Sequence, residues 1–226
     1  MDGHRPFFDC SIRLVFAALG ALGFVCLAGA EQMTTTIVPI DKLNTGAPPP
    51  EFDFARTGQG PPGRWTVVSD ATAAAGRAIE QSSTDATDYR FPLAIYRPVT
   101  TRNVDITVRF KAVAGRVDQA GGIAVRLTGP NDYYVVRANA LEDNVRFYRM
   151  VKGRREQLEG SNLKVAAGQW HTLGLKAEGA RFAVTFNGNV LFTANDRTFA
   201  EPGRVALWTK ADSVTRFDRF EIRTLP

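Results

Sequence analysis

Seven side chains suited to gripping hydroxyl groups fall on three consecutive short segments. Arg126 alternates with Ile123, Val125 and Leu127 and so faces away from them. Tyr133, Arg137 and Asn139 share one side of the next segment, and Asn144, Arg146 and Tyr148 share one side of the third. A period of two marks an extended strand, whose side chains alternate between faces. On neighbouring strands, Arg126, Tyr133, Arg137, Asn139, Arg146 and Tyr148 make a polar patch edged by phenols. Planar rings cover the apolar face of a sugar, and guanidinium and amide groups offer paired partners to adjacent hydroxyls. Three arginines equally suit a uronate, a sulfated glycan or another anionic ligand. The competing reading is a solvated strand face, where Arg and Tyr are common. Trp208 is either a stacking platform at a sheet edge or a core residue. The turn Glu142-Asp143-Asn144 is either a plain acidic turn or a set of hydroxyl acceptors beside the patch.

Much other chemistry is excluded. Both cysteines, Cys10 and Cys26, and one of the two histidines, His4, lie in the first thirty residues. There Arg5 and Arg13 precede an apolar run from Leu14 to Leu27, which ends in Ala28-Gly29-Ala30. A basic start, a short apolar stretch and a small-x-small end describe a secretory signal peptide. The run falls short of the roughly 20 residues a membrane helix needs. A retained N-terminal anchor is the alternative. With residues 1–30 removed, no cysteine remains and His171 is the single histidine. A disulfide framework, a thiolate nucleophile, a Cys-rich zinc centre and a three-His metal site are then impossible. His171, between Trp170 and Thr172, reads as a hydrogen-bonded structural histidine. A cysteine-free chain suits an oxidising compartment. The expected location is periplasmic or secreted, with no membrane span after cleavage.

The elements that must position the patch are strands. Residues 31–63 read as an extended lead-in and loop, with Pro48-Pro49-Pro50 unable to donate backbone hydrogen bonds. From residue 64 to 226 short alternating runs recur between turn residues. Val104, Ile106, Val108 and Phe110 alternate with Asp105, Thr107, Arg109 and Lys111. Asn187-Gly188 signals a tight hairpin, and Lys152-Gly153 a weaker one. No segment holds a helical apolar period; Gly76 interrupts the one helix-like patch, Ala71 to Ala78. About twelve strands predict an all-β fold, a two-sheet antiparallel jelly-roll sandwich. Trp65 and Trp170 read as core residues at strand starts. The net charge of +5 comes from 22 Arg and 6 Lys scattered along the strands. No basic run exceeds Arg154-Arg155 with Lys152 nearby, so a glycan or envelope polymer fits better than nucleic acid.

Three stretches resemble the concanavalin A-like lectin/glucanase superfamily. They are Gly121-Gly122-Ile123-Ala124-Val125-Arg126 with Asn131-Asp132-Tyr133-Tyr134, then Gly168-Gln169-Trp170-His171 leading to Phe186-Asn187-Gly188, then Gly203 to Lys210 closing with Phe217-Asp218-Arg219-Phe220. The likeness extends to laminin-G-like domains and to bacterial 3-keto-disaccharide hydrolase-like domains. It implies the jelly roll over roughly residues 65 to 225, and decides function weakly. The superfamily's laminarinase-type enzymes carry three alternating carboxylates. The nearest match, Glu51-Phe52-Asp53-Phe54-Ala55-Arg56, lacks the third. The resemblance also implies a possible structural calcium, for which Asp53 and Asp218 are the best placed carboxylates; pairing of Asp218 with an arginine is the alternative.

The expected function is therefore non-catalytic binding of a carbohydrate or glycoconjugate. An enzyme acting on glycosides is the alternative implied by the resemblance, with Glu142 and Asp143 as the first catalytic suspects. A protein-interaction domain is the third. Paired carboxylates facing across a groove favour hydrolysis, an aromatic groove without them favours binding, and a flat apolar face favours protein contact.

Overall fold

A computed structural model describes residues 1–3 and 33–226. The leader reading, with His4, Cys10, Cys26 and the Leu14–Leu27 run, lies outside the described residues. Fifteen strands occur among those described. They are β1 (Thr34–Ile37), β2 (Phe52–Gly58), β3 (Trp65–Ser69), β4 (Arg77–Gln81), β5 (Arg90–Thr101), β6 (Val104–Ala114), β7 (Ala120–Gly129) and β8 (Asp132–Asn139). Then follow β9 (Asn144–Val151), β10 (Arg154–Asn162), β11 (His171–Glu178), β12 (Arg181–Phe186), β13 (Asn189–Asn195), β14 (Gly203–Trp208) and β15 (Val214–Thr224). One 3-10 turn, Ile40–Lys42, interrupts them. Among the described residues no helix is long and apolar enough to cross a membrane.

The strands form two antiparallel sheets. One has eight strands, in the order β13-β12-β11-β6-β15-β4-β3 with β1 added beside β15. The other has seven, in the order β10-β9-β8-β7-β14-β5-β2. The expected jelly-roll sandwich is the fold. In β6 the alternation holds: Val104, Ile106, Val108 and Phe110 are buried while Asp105, Thr107 and Arg109 are not. Both hairpin signals hold too. Asn187 and Gly188 have φ of 50° and 83°, and Lys152 and Gly153 have 50° and 76°, the paired positive angles of a tight hairpin turn.

The core between the sheets is aromatic. Phe110, Phe147, Phe182, Phe217 and Phe220 are fully buried, each stabilising by about 1.5–3 kcal/mol relative to exposure. The seven-stranded sheet is apolar on both faces. Ile123, Val125, Tyr134, Val136, Val145, Phe147, Val205 and Leu207 join the central core. Their alternates Ala124, Tyr133, Val135, Tyr148, Met150, Ala206 and Trp208 join Phe91, Leu93 and Ile95 in a second cluster on the outer face.

The structure differs from the sequence reading in three places, and a fourth segment follows it. Residues 31–63 are not only a lead-in: β1 pairs with β15, and β2 is an edge strand on β5. Phe52 drives this, packing 5.2 Å from Tyr96 and 6.5 Å from Phe220. β10 escaped notice because its sequence is polar and it bulges between Gln157 and Glu159. Trp65 is a core residue, but Trp170 lies under the cations Arg109 and Lys111, at 5.0 and 4.9 Å. The Ala71–Ala78 patch makes turns that close at Gly76 and lead into β4.

Two buried arginines hold the loops at either end. Arg90 donates to the carbonyls of Pro61, Pro62 and Ala211 at 2.8, 3.1 and 2.6 Å. Arg126 donates to those of Arg102, Phe199 and Gly179 at 2.9, 2.8 and 2.5 Å. Arg126 sits at a bulge with φ of 51°. A Cβ at Gly203 opposite would come within 2.3 Å of its carbonyl carbon, so only glycine lets β14 approach. Arg126→Ala is expected to cost about 3 kcal/mol or more in urea denaturation, because three carbonyls lose a charged donor. Arg97→Ala, whose pair with Asp53 is half exposed, is expected to cost at most about 1 kcal/mol.

Candidate functional site

The site lies on the outer face of the seven-stranded sheet, and the curl of that sheet decides how much of the face is open. Tyr133 of β8 packs in the same outer-face cluster as the small Ala124 and Ala206. Its hydroxyl lies 2.7 Å from Thr57 Oγ1 on β2 and accepts from Trp208 Nε1 at 3.3 Å. Thr57 Oγ1 also donates to the Pro130 carbonyl in the β7–β8 turn. Tyr89, before β5, donates to the Gly153 carbonyl at 3.0 Å and accepts the Arg155 amide at 2.8 Å. Two corners of the sheet are thereby drawn together. Phe91 stacks on Trp208 at 5.3 Å within the closed part. Trp208 and Tyr133 are fully buried, so neither is a stacking platform.

Polar groups gather at the other end of the same face. Arg137 is nearly buried. Its guanidinium donates to Glu142 Oε2 at 2.7 Å, to Tyr148 Oη at 3.1 Å and to Asn144 Oδ1. Asn144 Nδ2 donates to the same Glu142 oxygen at 3.1 Å. Arg137 Nε has no partner among the described residues. A Cβ at Gly122, beside Arg137 on β7, would meet Val136 O at 2.6 Å, so the floor there is bare backbone. Glu142 keeps 44% of its side chain exposed. Burial alone pushes its carboxyl up, but Arg137 and Asn144 outweigh this and hold it below the usual range.

A second group continues the cluster. Lys210 Nζ bridges Asp118 Oδ2 and Asp88 Oδ1, both at 2.7 Å. Burial lowers the Lys210 ammonium, but the two carboxylates overcome it and raise its pKa. Asn139 Nδ2 donates to Asp118 Oδ1 at 2.6 Å, and Asn139 Oδ1 accepts the Leu141 amide. Burial pushes the Asp118 carboxyl up against the pull of Lys210. The 116–118 loop is tied by Asp212, which accepts the amides of Arg116, Val117 and Asp118 at 2.7, 3.1 and 2.9 Å. Leu141 and Val117 are exposed on the rim. The arrangement can present oriented carboxylates and apolar edges to a ligand, with the cations beneath.

The residues expected from the sequence divide accordingly. Arg137, Asn139 and Tyr148 come together, with Glu142 and Asn144. Arg126 is separate: the β7 bulge turns it to the loops it staples, and it lies 5.2 Å over Phe182 of the central core. Arg146 stands opposite Arg137 in register but leans to the sheet edge, donating to Asn162 Oδ1 at 2.6 Å, as two like charges side by side require. Asp143 points away from Glu142, pairing with Lys164 at 2.9 Å and accepting the Val165 amide. Asp53 pairs with Arg97 and Arg204 at 3.0 and 2.9 Å. Asp218 is 3.3 Å from Arg109 on the adjacent strand. These two aspartates lie on strands of different sheets, β2 and β15. No group of three or more His, Cys, Asp or Glu among the described residues could hold a metal. His171 donates from Nε2 to the Ala166 carbonyl at 3.0 Å and stacks on Phe186. Asp88, Asp118 and Lys210 were not among the expected site residues. They sit in three loops, where strand alternation gives no signal.

The model of the galactocerebrosidase C-terminal lectin domain family matches residues 99–225. No curated protein matches the sequence. Among solved structures, the chain is similar to a carbohydrate binding module, CBM66, from Bacillus subtilis. The TM-score is 0.57 at 17% identity, covering 74% of this chain and 94% of that one. A β-glucanase from Bacillus licheniformis gives a TM-score of 0.55 at 15% identity, covering 85% and 98%. A galectin-like protein of unknown function from Bacillus subtilis gives 0.53 at 9% identity, covering 77% and 91%. At these identities the likeness establishes the shared fold.

Asp212 gives a test of how the loop is held. Burial raises its carboxyl, yet the three amides and its own outweigh this, so its pKa lies below the ordinary 3.8. A depressed carboxylate contributes stability that is present at neutral pH and lost as pH falls below that value. Asp212→Asn is expected to cost about 1–3 kcal/mol at pH 7. The deficit relative to wild type should shrink in denaturation curves taken at progressively lower pH.

Proposed function

The chain belongs to the family of the galactocerebrosidase C-terminal lectin domain, and from that premise we propose that it binds carbohydrate, without catalysis, through the Arg137–Glu142 end of the seven-stranded sheet. One observation carries this reading: the exposed Glu142 carboxylate is held in a fixed direction by two buried donors, Arg137 and Asn144. An oriented carboxylate accepts two adjacent hydroxyls well, because its own order is already set before the ligand arrives. Asp88, on the far side of Lys210, offers a second exposed carboxylate. Leu141 and Val117 supply apolar edges for the C–H face of a ring. The fold shared with a carbohydrate binding module and the lectin-domain family supports the same conclusion.

The non-catalytic part rests on how the carboxylates are occupied. Glu142 and Asp143 diverge. Asp118 has one oxygen on Asn139 and the other on Lys210. Among the described residues of this site each carboxylate is already ion-paired or hydrogen-bonded, which disfavours the free acid and base that glycoside hydrolysis uses. The chain is exported on this reading, its first thirty residues being the address, so protein recovered from outside the cytoplasm should begin at Glu31. An N-terminus at Met1 on the recovered protein would count against cleavage.

A glycan-array screen of the protein, repeated with Glu142→Gln, tests the site. At least one glycan class should bind, and Glu142→Gln should weaken it about tenfold or more, roughly 1.4 kcal/mol, with the melting temperature little changed. Binding should also fall as pH drops through the depressed pKa of Glu142 and its acceptors are lost. Undiminished binding by a folded Glu142→Gln protein would move the site elsewhere.

A further inference from the structure

The hairpin between β9 and β10 carries a second feature, outside the proposed sugar site. A cleft of about 510 Å³ is lined by Val151, Lys152, Arg154, Arg155 and Glu156. Its three cations make no ion pair among the described residues. Glu156 is already spent: both its oxygens accept from Arg149, at 2.9 to 3.1 Å. Asp132 is occupied by the Lys152 amide at 2.8 Å, and Asp88 by Lys210. Arg155 is fixed in place. Its guanidinium carbon lies 4.6 Å from the Tyr148 ring and 5.0 Å from Phe91, and its amide is held by Tyr89. Its Nη1 is nonetheless buried and without a partner among the described residues. With Nη1 closed off, the remaining edge of this planar, preordered guanidinium is what the cleft offers, and it is suited to a tetrahedral oxyanion. The tight turn at Lys152-Gly153 brings Lys152 back beside Arg154 and Arg155.

We propose that this hairpin cleft is a binding site for a phosphate or sulfate monoester group, with Arg155 as the oriented donor and Lys152 and Arg154 as the outer charges. The group arrives either on a substituted sugar or on a lipid head. Glu142 is not part of the site, so this inference stands or falls apart from the lectin reading.

The experiment is a 1H–15N NMR titration of the full chain with inorganic phosphate and with glucose 6-phosphate. Co-sedimentation with phosphatidylcholine vesicles, with and without phosphatidic acid, whose head is a phosphate monoester, accompanies it. Phosphate should shift resonances of residues 151–156 and Tyr89 selectively. Arg155→Gln should weaken the response about tenfold or more, and Glu142→Gln should leave it unchanged. If Arg155→Gln does not fold, the surface double variant Lys152→Gln/Arg154→Gln must show the loss instead. Tighter binding of the sugar phosphate than of inorganic phosphate assigns the group to a glycan, and vesicle binding that needs the anionic lipid assigns it to a membrane. Shifts scattered over unrelated basic residues such as Arg181, or an undiminished response in the folded variants, overturn the site.

Discussion

The structure depends on two guanidinium groups that spend their donors on backbone carbonyls. A sandwich of fifteen strands must return its chain many times, and each return leaves carbonyl groups that no ladder satisfies. Arg90 and Arg126 meet this need at separate loop clusters. Arg90 joins the 61–62 and 211 segments, and Arg126 joins those at 102, 179 and 199. Burial works against the charge in both, and lowers both pKa values. Arginine tolerates this because it stays protonated and offers five donors in a fixed plane. A lysine could reach only some of the same carbonyls.

The curl of the seven-stranded sheet is the second constraint. Its strands are apolar on both faces, and such strands need cover on both sides. The facing sheet covers one. On the other, Tyr133 crossing to Thr57 and Tyr89 crossing to Gly153 draw the corners together. The stacked pair Phe91-Trp208 becomes packing rather than a platform. What stays accessible is the rim, where loops before β5, before β7, between β8 and β9 and after β14 meet. The proposed sugar site occupies that rim, and the proposed anion site lies on the β9–β10 hairpin on the other side of Tyr148. Tyr148 accepts from Arg137 and lies beneath Arg155.

Much of the fold was legible because its information is local. Alternation in β6 and the Asn187-Gly188 and Lys152-Gly153 turns each report a constraint within a few residues. The strands that escaped were those whose reason is distant. β2 forms because Phe52 finds Tyr96 and Phe220, and β10 forms because β9 needs an edge partner. The site was legible in part. Arg137, Asn139 and Tyr148 share a face by alternation and do meet. Arg126 obeys the same alternation and does not, because a bulge inserted between Val125 and Gly129 rotates its side chain away.

The sequence by itself determined an all-β sandwich, its inward-facing rows and the polar character of the strand ends, since period-two patterning and turn chemistry need only near neighbours. Tertiary structure alone decided which arginines are staples and which are recognition groups. It also decided that Trp208 is interior, and that Lys210, Asp88 and Asp118 form one unit. Those outcomes depend on which carbonyls, carboxylates and rings arrive from residues far away in the chain. Desolvation then makes each such arrival either a satisfied partner or an uncompensated charge.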